Sequence, residues 1–250
     1  MESTQIKKNA DELERRLKSL RDDPKQNHEE IREVEKLLQA EYRRLILEHT
    51  AFAFVKDIDG QLWKYIFYRN IEDYRRVIKK SSEHLDKCQK KASDATDADL
   101  VASALKDVEK LRTHLARLHS AFATFLSDAA LFYQELMRAL EDKHRAANND
   151  DSPRCIHRCL LYLGDIARYA ELYSDRKANE KNYTNAENYY MRASFWIPTS
   201  GNPHNQLAVL ATYKDAECVA VYHYCRSMMV AQPFAACADN LTILLAGEIK

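Results

Sequence analysis

At 250 residues with 46% hydrophobic side chains, the chain is long enough to bury a large core without disulfides or metal. Only 4 Gly and 5 Pro occur, too few for the turns and phosphate loops of an all-β or α/β protein of this size, so long helices are predicted. Lys+Arg and Asp+Glu both number 38, which argues against a global basic field of the kind that gathers nucleic acid; an anion site has to be local.

Ile6, Ala10, Leu13, Leu17 and Leu20 recur at steps of three and four, predicting a first helix that Pro24 stops. Asn27 followed by Glu30 reads as a capping box for a second, carried by Ile31, Val34, Leu38, Tyr42, Leu45 and His49 toward Val55 and ended by a turn at Asp57-Ile58-Asp59-Gly60. A third, from Gln61, buries Trp63, Phe67, Ile71, Tyr74 and Ile78 and dissolves in the polar run 90–97. A fourth starts near Thr96 and runs from Val101 to Leu140, long enough to span the body. These stripes read as core. The polar run 146–153 is the clearest internal boundary, dividing a single domain of residues 1–250 into long helices (1–147) and shorter hairpins (154–250). Cys88, Cys155, Cys159, Cys218, Cys225 and Cys237 fall inside helical patterns, so reduced thiols and a cytoplasmic location, with shuttling to the nucleus, are expected. No apolar run reaches the roughly 20 residues of a membrane-spanning helix.

Beyond residue 153 a repeat emerges. Ala186, Tyr190, Ala193 and Pro198 have the offsets of the second helix and closing proline of a tetratricopeptide repeat (TPR), and a shift of 34 residues gives Ala220, Tyr224 and Ser227, with Pro233 one place late. Leu163-Gly164 and Leu207-Ala208 occupy the Leu-Gly positions of the two first helices, Arg154–Tyr173 and Pro203–Lys214; an extra loop at 174–182 interrupts the earlier unit, and a last helix runs from Phe234 to Ala246. Small residues at these positions let helices approach closely, and function in such stacks lies on the concave stripe of the first helices.

That stripe supplies the candidate site. With Leu163 and Gly164 turned to the partner helix, Arg158, Leu161, Asp165, Arg168 and Tyr169 face the groove, and Asn205, Val209 and Thr212 continue it on the next first helix. Arg offers a planar fork of donors for phosphate, the Tyr hydroxyl adds another, and the Asn amide holds a peptide main chain. Arg168 is expected to be partly solvated, so that replacing it costs the fold little.

The runs HRCLLYLGDIARY (His157–Tyr169), AENYYMRASFWIPTSGNPHNQLAVLA (Ala186–Ala211), VYHYCRS (Val221–Ser227) and PFAACADNL (Pro233–Leu241) closely resemble a family of nonsense-mediated-decay and telomerase-associated adaptors, the Smg-type and Est-type proteins. LWKYIFYRNIEDYRR (Leu62–Arg76) and Phe125–Tyr133 look like its amino-terminal helices, so the resemblance covers roughly residues 40–245, nearer the decay branch. It implies an all-α, 14-3-3-like antiparallel array of about nine helices with TPR-like hairpins, reading phosphoserine through one basic residue after the Leu-Trp and one Arg in the GDIAR run. The second is Arg168; Tyr68 stands in the first column, with Arg69 beside it and Arg76 two turns on as an assistant. It also implies a phosphorylated decay helicase as ligand, a sister 14-3-3-like adaptor as heterodimer partner, and recruitment of mRNA-degrading or dephosphorylating effectors.

Two other functions compete. A telomerase accessory subunit touching RNA or single-stranded DNA would want a basic, aromatic-interleaved stripe, which zero net charge disfavours. An enzyme has little to rest on: the aspartates of 149–151 read as a solvated loop, and no cofactor is expected. Cys155-x-His157-x-Cys159 is no metal motif, because positions two apart on a helix diverge. His204 and His223 read as packing or groove polar residues, and the end of the repeat stack at residue 250 suggests a fragment or a shortened relative.

Overall fold

Apolar stripes at three- and four-residue spacing become eleven α-helices among the described residues of the computed structural model, which are 2–23, 25, 27–94, 98–146 and 151–247. In order they are α1 (Glu2–Asp22), α2 (His28–Glu48), α3 (Thr50–Val55), α4 (Ile58–Leu62), α5 (Arg69–Asp94), α6 (Ala98–Ala146), α7 (Ser152–Leu172), α8 (Thr184–Trp196), α9 (Asn202–Thr212), α10 (Glu217–Met228) and α11 (Cys237–Leu245). No strand occurs among the described residues; Ser200 and Gln232 pair as an isolated bridge that ties the loops after α8 and α10. No described helix is long and apolar enough to cross a membrane. The expected stop at Pro24, the start at Thr96 and the loop residues Asn149 and Asp150 lie outside the described residues.

Asn27 caps α2 as anticipated, its Oδ1 accepting from the Glu29 and Glu30 amides at 3.2 and 3.3 Å. Three boundaries differ. The second helix is broken at His49, whose extended backbone (φ −131°) separates α2 from α3. The turn before α4 is confined to Lys56 and Asp57, the latter left-handed at φ 53°; Ile58, Asp59 and Gly60 are already helical, and a Cβ on Gly60 would lie 2.5 Å from the Asp57 carboxylate. The third helix starts at Ile58 rather than Gln61 and continues through the polar run to Asp94.

Between α4 and α5, Trp63–Tyr68 forms a π-helical turn, and the backbone stays helical across both joins, so α4 to α5 is one rod. Counted this way, with short α3 as the lead-in, nine rods stand among the described residues in an all-α, 14-3-3-like array. The wider π turn seats four aromatics: Trp63 stacks on Tyr162 of α7 at 4.6 Å, and Phe67 meets Tyr133 of α6 at 4.9 Å. Tyr74 stacks on Phe122 one layer further along. These contacts clamp α5 against α6 and α7.

The TPR register holds. Gly164 faces α8 so closely that a Cβ there would meet Tyr190 Cε1 at 2.3 Å, and Ala186, Ala193, Ala208 and Ala220 are all buried. One continuous core extends from Ile6 to Leu210; a smaller one, with Ala208, Ala211, Ala220, Tyr224 and Cys237 at its centre, holds α9, α10 and α11 together. Along the chain the main neighbour of α9 toward α7 is α8, so the two first helices flank the second helix of the earlier hairpin.

Candidate functional site

The concentration of cationic and aromatic groups that best suits an anion lies where α5 passes α7. Tyr169 is its centre: the Arg168 guanidinium carbon lies 4.4 Å from the ring centroid and that of Arg75 lies 5.2 Å from it. Both arginines therefore gather on one ring, their separation bounded by the sum of those distances. Arg75 Nε also donates to the Tyr173 hydroxyl at 3.3 Å, tying α5 to the end of α7, and Arg75 Nη1 stands 3.7 Å from Glu72. Arg69, Arg76 and Lys79 join Arg75 along α5 in lining a cleft of about 340 Å³ closed by Tyr173, with Glu72 and Asp73 as the carboxylates in it.

Arg168 is not the solvated arginine the sequence suggested. Its side chain is 11% exposed, with Nη2 donating to Asp165 at 2.9 Å and Nε to the Tyr190 hydroxyl at 3.4 Å; that hydroxyl in turn donates to Asp165 at 2.8 Å. Burial works against its charge, but Asp165, Tyr190 and Tyr169 more than offset it, so the guanidinium is raised and stays cationic. Two of its five N–H donors are used in these bonds, leaving three for a ligand. The GDIAR run thus folds into a pre-set fork whose orientation is held by Asp165 and Tyr190.

Two expected site residues are elsewhere. Arg158 points to the start of α4, donating to Asp57 at 2.5 Å and to Asp59 at 2.6 Å with its guanidinium over Phe54. The cause is Asp59, whose side chain is only 3% exposed and needs a cation; burial pushes that carboxyl up even so, with Arg158 pulling the other way. Leu161 of the same expected stripe is core. Asn205 is 3% exposed, and its side-chain oxygen accepts from Asn240 Nδ2 at 2.9 Å, so it joins α9 to α11 instead of presenting a groove amide.

Arg69 and Arg76 do lie in the cleft, though each is turned outward and shares Asp73, Arg69 at 3.5 Å and Arg76 at 2.5 Å. Tyr68, in the column where a basic residue was sought, sits beside Tyr169 and Arg75, and burial is the main cause of its raised phenol. Arg75 was missed. Its position four residues after buried Ile71 and three before buried Ile78 places it at the edge of the buried face, whereas Arg76 is one step farther round. That spacing was the available signal.

Three remaining features bear on chemistry. Cys155 and Cys159 are buried thiols, and His157 Nδ1 bonds the Ala193 carbonyl at 2.8 Å; among the described residues they form no shared ligand cluster. Burial pushes Cys155 up to about 12. His204 and His223 face each other with their Nδ1 atoms 3.2 Å apart, an imidazole pair joining α9 to α10. A groove of about 910 Å³ between α6, α7 and α8 has Phe122, Leu126, Leu163 and Ile166 in its lining, with Arg192 as its cation.

Among known proteins, residues 186–248 match the family described as the Est1 DNA/RNA binding domain. A nonsense-mediated mRNA decay factor, SMG7, of Arabidopsis thaliana is 31% identical over 229 residues, which are 83% of this chain and 20% of that protein. Telomerase-binding protein EST1A of Danio rerio is 29% identical over 81% of this chain and 12% of its own length, and SMG5 of Danio rerio is 39% identical over 34% of this chain and 7% of its own. The chain thus spans about a fifth or less of these relatives. The crystal structure of Est1 and Cdc13 contains a chain that superposes over 95% of this one and 45% of itself, with TM-score 0.60 at 14% identity, a likeness of fold. On the fold, the repeat register and these similarities, the chain is a relative of the Smg-type and Est-type proteins, the nonsense-mediated mRNA decay factors among them.

Proposed function

We propose that this domain is a non-catalytic adaptor of nonsense-mediated mRNA decay that reads phosphoserine or phosphothreonine in a peptide. The observation that carries the reading is the pairing of Arg75 and Arg168 on the Tyr169 ring in a chain whose charges balance overall. A phosphate of about −2 charge needs several aimed donors, and the guanidinium of Arg75 at the cleft, with that of Arg168 on the same Tyr169 ring from the neighbouring helix, would supply them. The peptide belongs to a phosphorylated decay helicase, a sister 14-3-3-like domain pairs with this one, and mRNA-degrading or dephosphorylating effectors are recruited, in the cytoplasm with passage through the nucleus. The family resemblance supports these assignments.

A telomerase-associated role in binding RNA or single-stranded DNA is the second reading, favoured by the Est1 DNA/RNA binding domain match over residues 186–248. The two separate on one experiment: fluorescence titration of a phosphoserine peptide and a single-stranded RNA against the unmutated chain, Arg75→Glu and Arg117→Glu. Arg117 is exposed on α6, outside the cleft. The phosphopeptide reading expects Arg75→Glu to weaken the peptide at least about tenfold, Arg117→Glu to leave it unchanged, and RNA to bind only at low salt. Salt-resistant RNA binding with no preference for phosphate in the peptide would favour the second reading.

A further inference from the structure

Resting on the phosphopeptide reading, we infer that the cleft does not end at Arg69 but continues into a second cationic cleft that takes another anionic side chain of the same peptide. Arg69 and Glu72 line both clefts, so the two share a wall. The second, about 460 Å³, lies between α1 and the π turn, with Arg15, Lys18 and Lys64 at its rim and Leu17, Tyr65 and Tyr68 in its lining. Together the clefts hold eight cationic side chains and four carboxylates, in a chain whose total charge is zero. The face is therefore locally cationic on a molecule that is neutral as a whole.

Availability follows from the partners. Arg21 is committed to the Tyr65 carbonyl at 3.0 Å and Glu35 at 2.5 Å, and Glu14 to Lys7 at 3.2 Å and to the Tyr42 hydroxyl. Lys18 and Lys64, by contrast, are exposed and in no ion pair among the described residues; Lys64 lies against the Tyr65 ring at 5.6 Å. Two uncommitted ammonium groups over an apolar floor suit a carboxylate or phosphate whose peptide backbone runs across Tyr65 and Tyr68. A nucleic-acid strand suits the face less well. Its phosphates are evenly spaced, and a strand crossing from Lys64 to Arg75 would pass Glu72 and Asp73, whereas a peptide can place neutral residues there.

The helix sets the spacing. Lys64 and Arg75 are eleven residues apart, about 16 Å along the rod at 1.5 Å per residue. An extended peptide advances about 3.3 Å per residue, so its two anions should be about five residues apart.

The test is calorimetric titration of the chain with one singly phosphorylated peptide and a series carrying a second phosphoserine two, five or ten residues away on either side, repeated with Lys18→Glu/Lys64→Glu. The inference expects the five-residue spacing to bind about tenfold tighter than the single phosphate, and the double variant to remove that gain while keeping the single-phosphate affinity and an unchanged urea midpoint. A gain independent of spacing, or one that survives the double variant, overturns the second cleft alone. Single-stranded RNA bound as tightly as the doubly phosphorylated peptide, and lost in the same variant, reassigns the face to nucleic acid. Failure of every phosphopeptide to bind overturns both this inference and the reading beneath it.

Discussion

Arg168→Glu should damage the fold as well as the site, and the two losses can be separated. The arginine is 11% exposed and Asp165 is 16% exposed, so removing the cation leaves a largely desolvated carboxylate beside a new one of the same sign. Breaking a buried pair costs about 3–5 kcal/mol, against a typical domain stability of about 5–15 kcal/mol. With a urea slope of about 1–3 kcal/mol/M, the midpoint should fall by about 1 M or more. Arg75→Glu is the contrast: its side chain is 37% exposed and its Glu72 partner is 3.7 Å away, so the loss is that of a surface pair plus the Tyr173 hydrogen bond, about 0.5–2.5 kcal/mol. Urea unfolding followed by circular dichroism gives the stabilities, and peptide titration far below each midpoint gives the affinities. Arg168→Glu unfolding at the unmutated midpoint would refute the account of Arg168 as an arginine locked by Asp165 and Tyr190.

Gly164→Ala gains helix propensity of about 1 kcal/mol, but its Cβ would overlap fully buried Tyr190, so a net fall in thermal midpoint is expected, with overpacking of about 1–3 kcal/mol setting its size. Burial lowers His157, His204 and His223 in the folded state, so the unfolded chain binds more protons and stability from these groups is complete above about pH 6.5 and lost as pH falls below it through their lowered folded values. Urea midpoints from pH 8 to 5 should decline, and His204→Gln/His223→Gln should flatten part of that slope; an unchanged slope would contradict the imidazole-pair assignment. Ellman's reagent at pH 8 should modify exposed Cys218 quickly and leave Cys155 and Cys159 untouched until the chain unfolds, since burial raises both thiols.

Much of the architecture was legible because small residues leave few alternatives: Gly164 and Ala186 fixed the hairpin register that the Gly164–Tyr190 contact displays. The π turn at Trp63–Tyr68 was not, since a hydrophobic stripe at three- and four-residue spacing reads the same with or without one added residue. Arg75 touches Tyr169 because its spacing from Ile71 and Ile78 sets it at the edge of the buried face of α5. Arg158 and Asn205 were misassigned for another reason: a stripe identifies a helix face but not its partner. Buried Asp59 and the α11 amide of Asn240 claim those two side chains from elements distant in sequence. Arg168 was placed by the helical stripe and again by family resemblance, and its burial follows from Tyr190 and Asp165, which spacing alone does not weigh.

The most direct test of the central claim is calorimetric titration of the unmutated chain with a phosphoserine peptide and its unphosphorylated twin. A phosphate bonded by Arg75 and Arg168 should bind at least about tenfold tighter than the serine hydroxyl, with the difference abolished in Arg75→Glu. Equal affinity for the two peptides would contradict the account and leave a helical scaffold whose paired arginines serve only to hold α5 against α7.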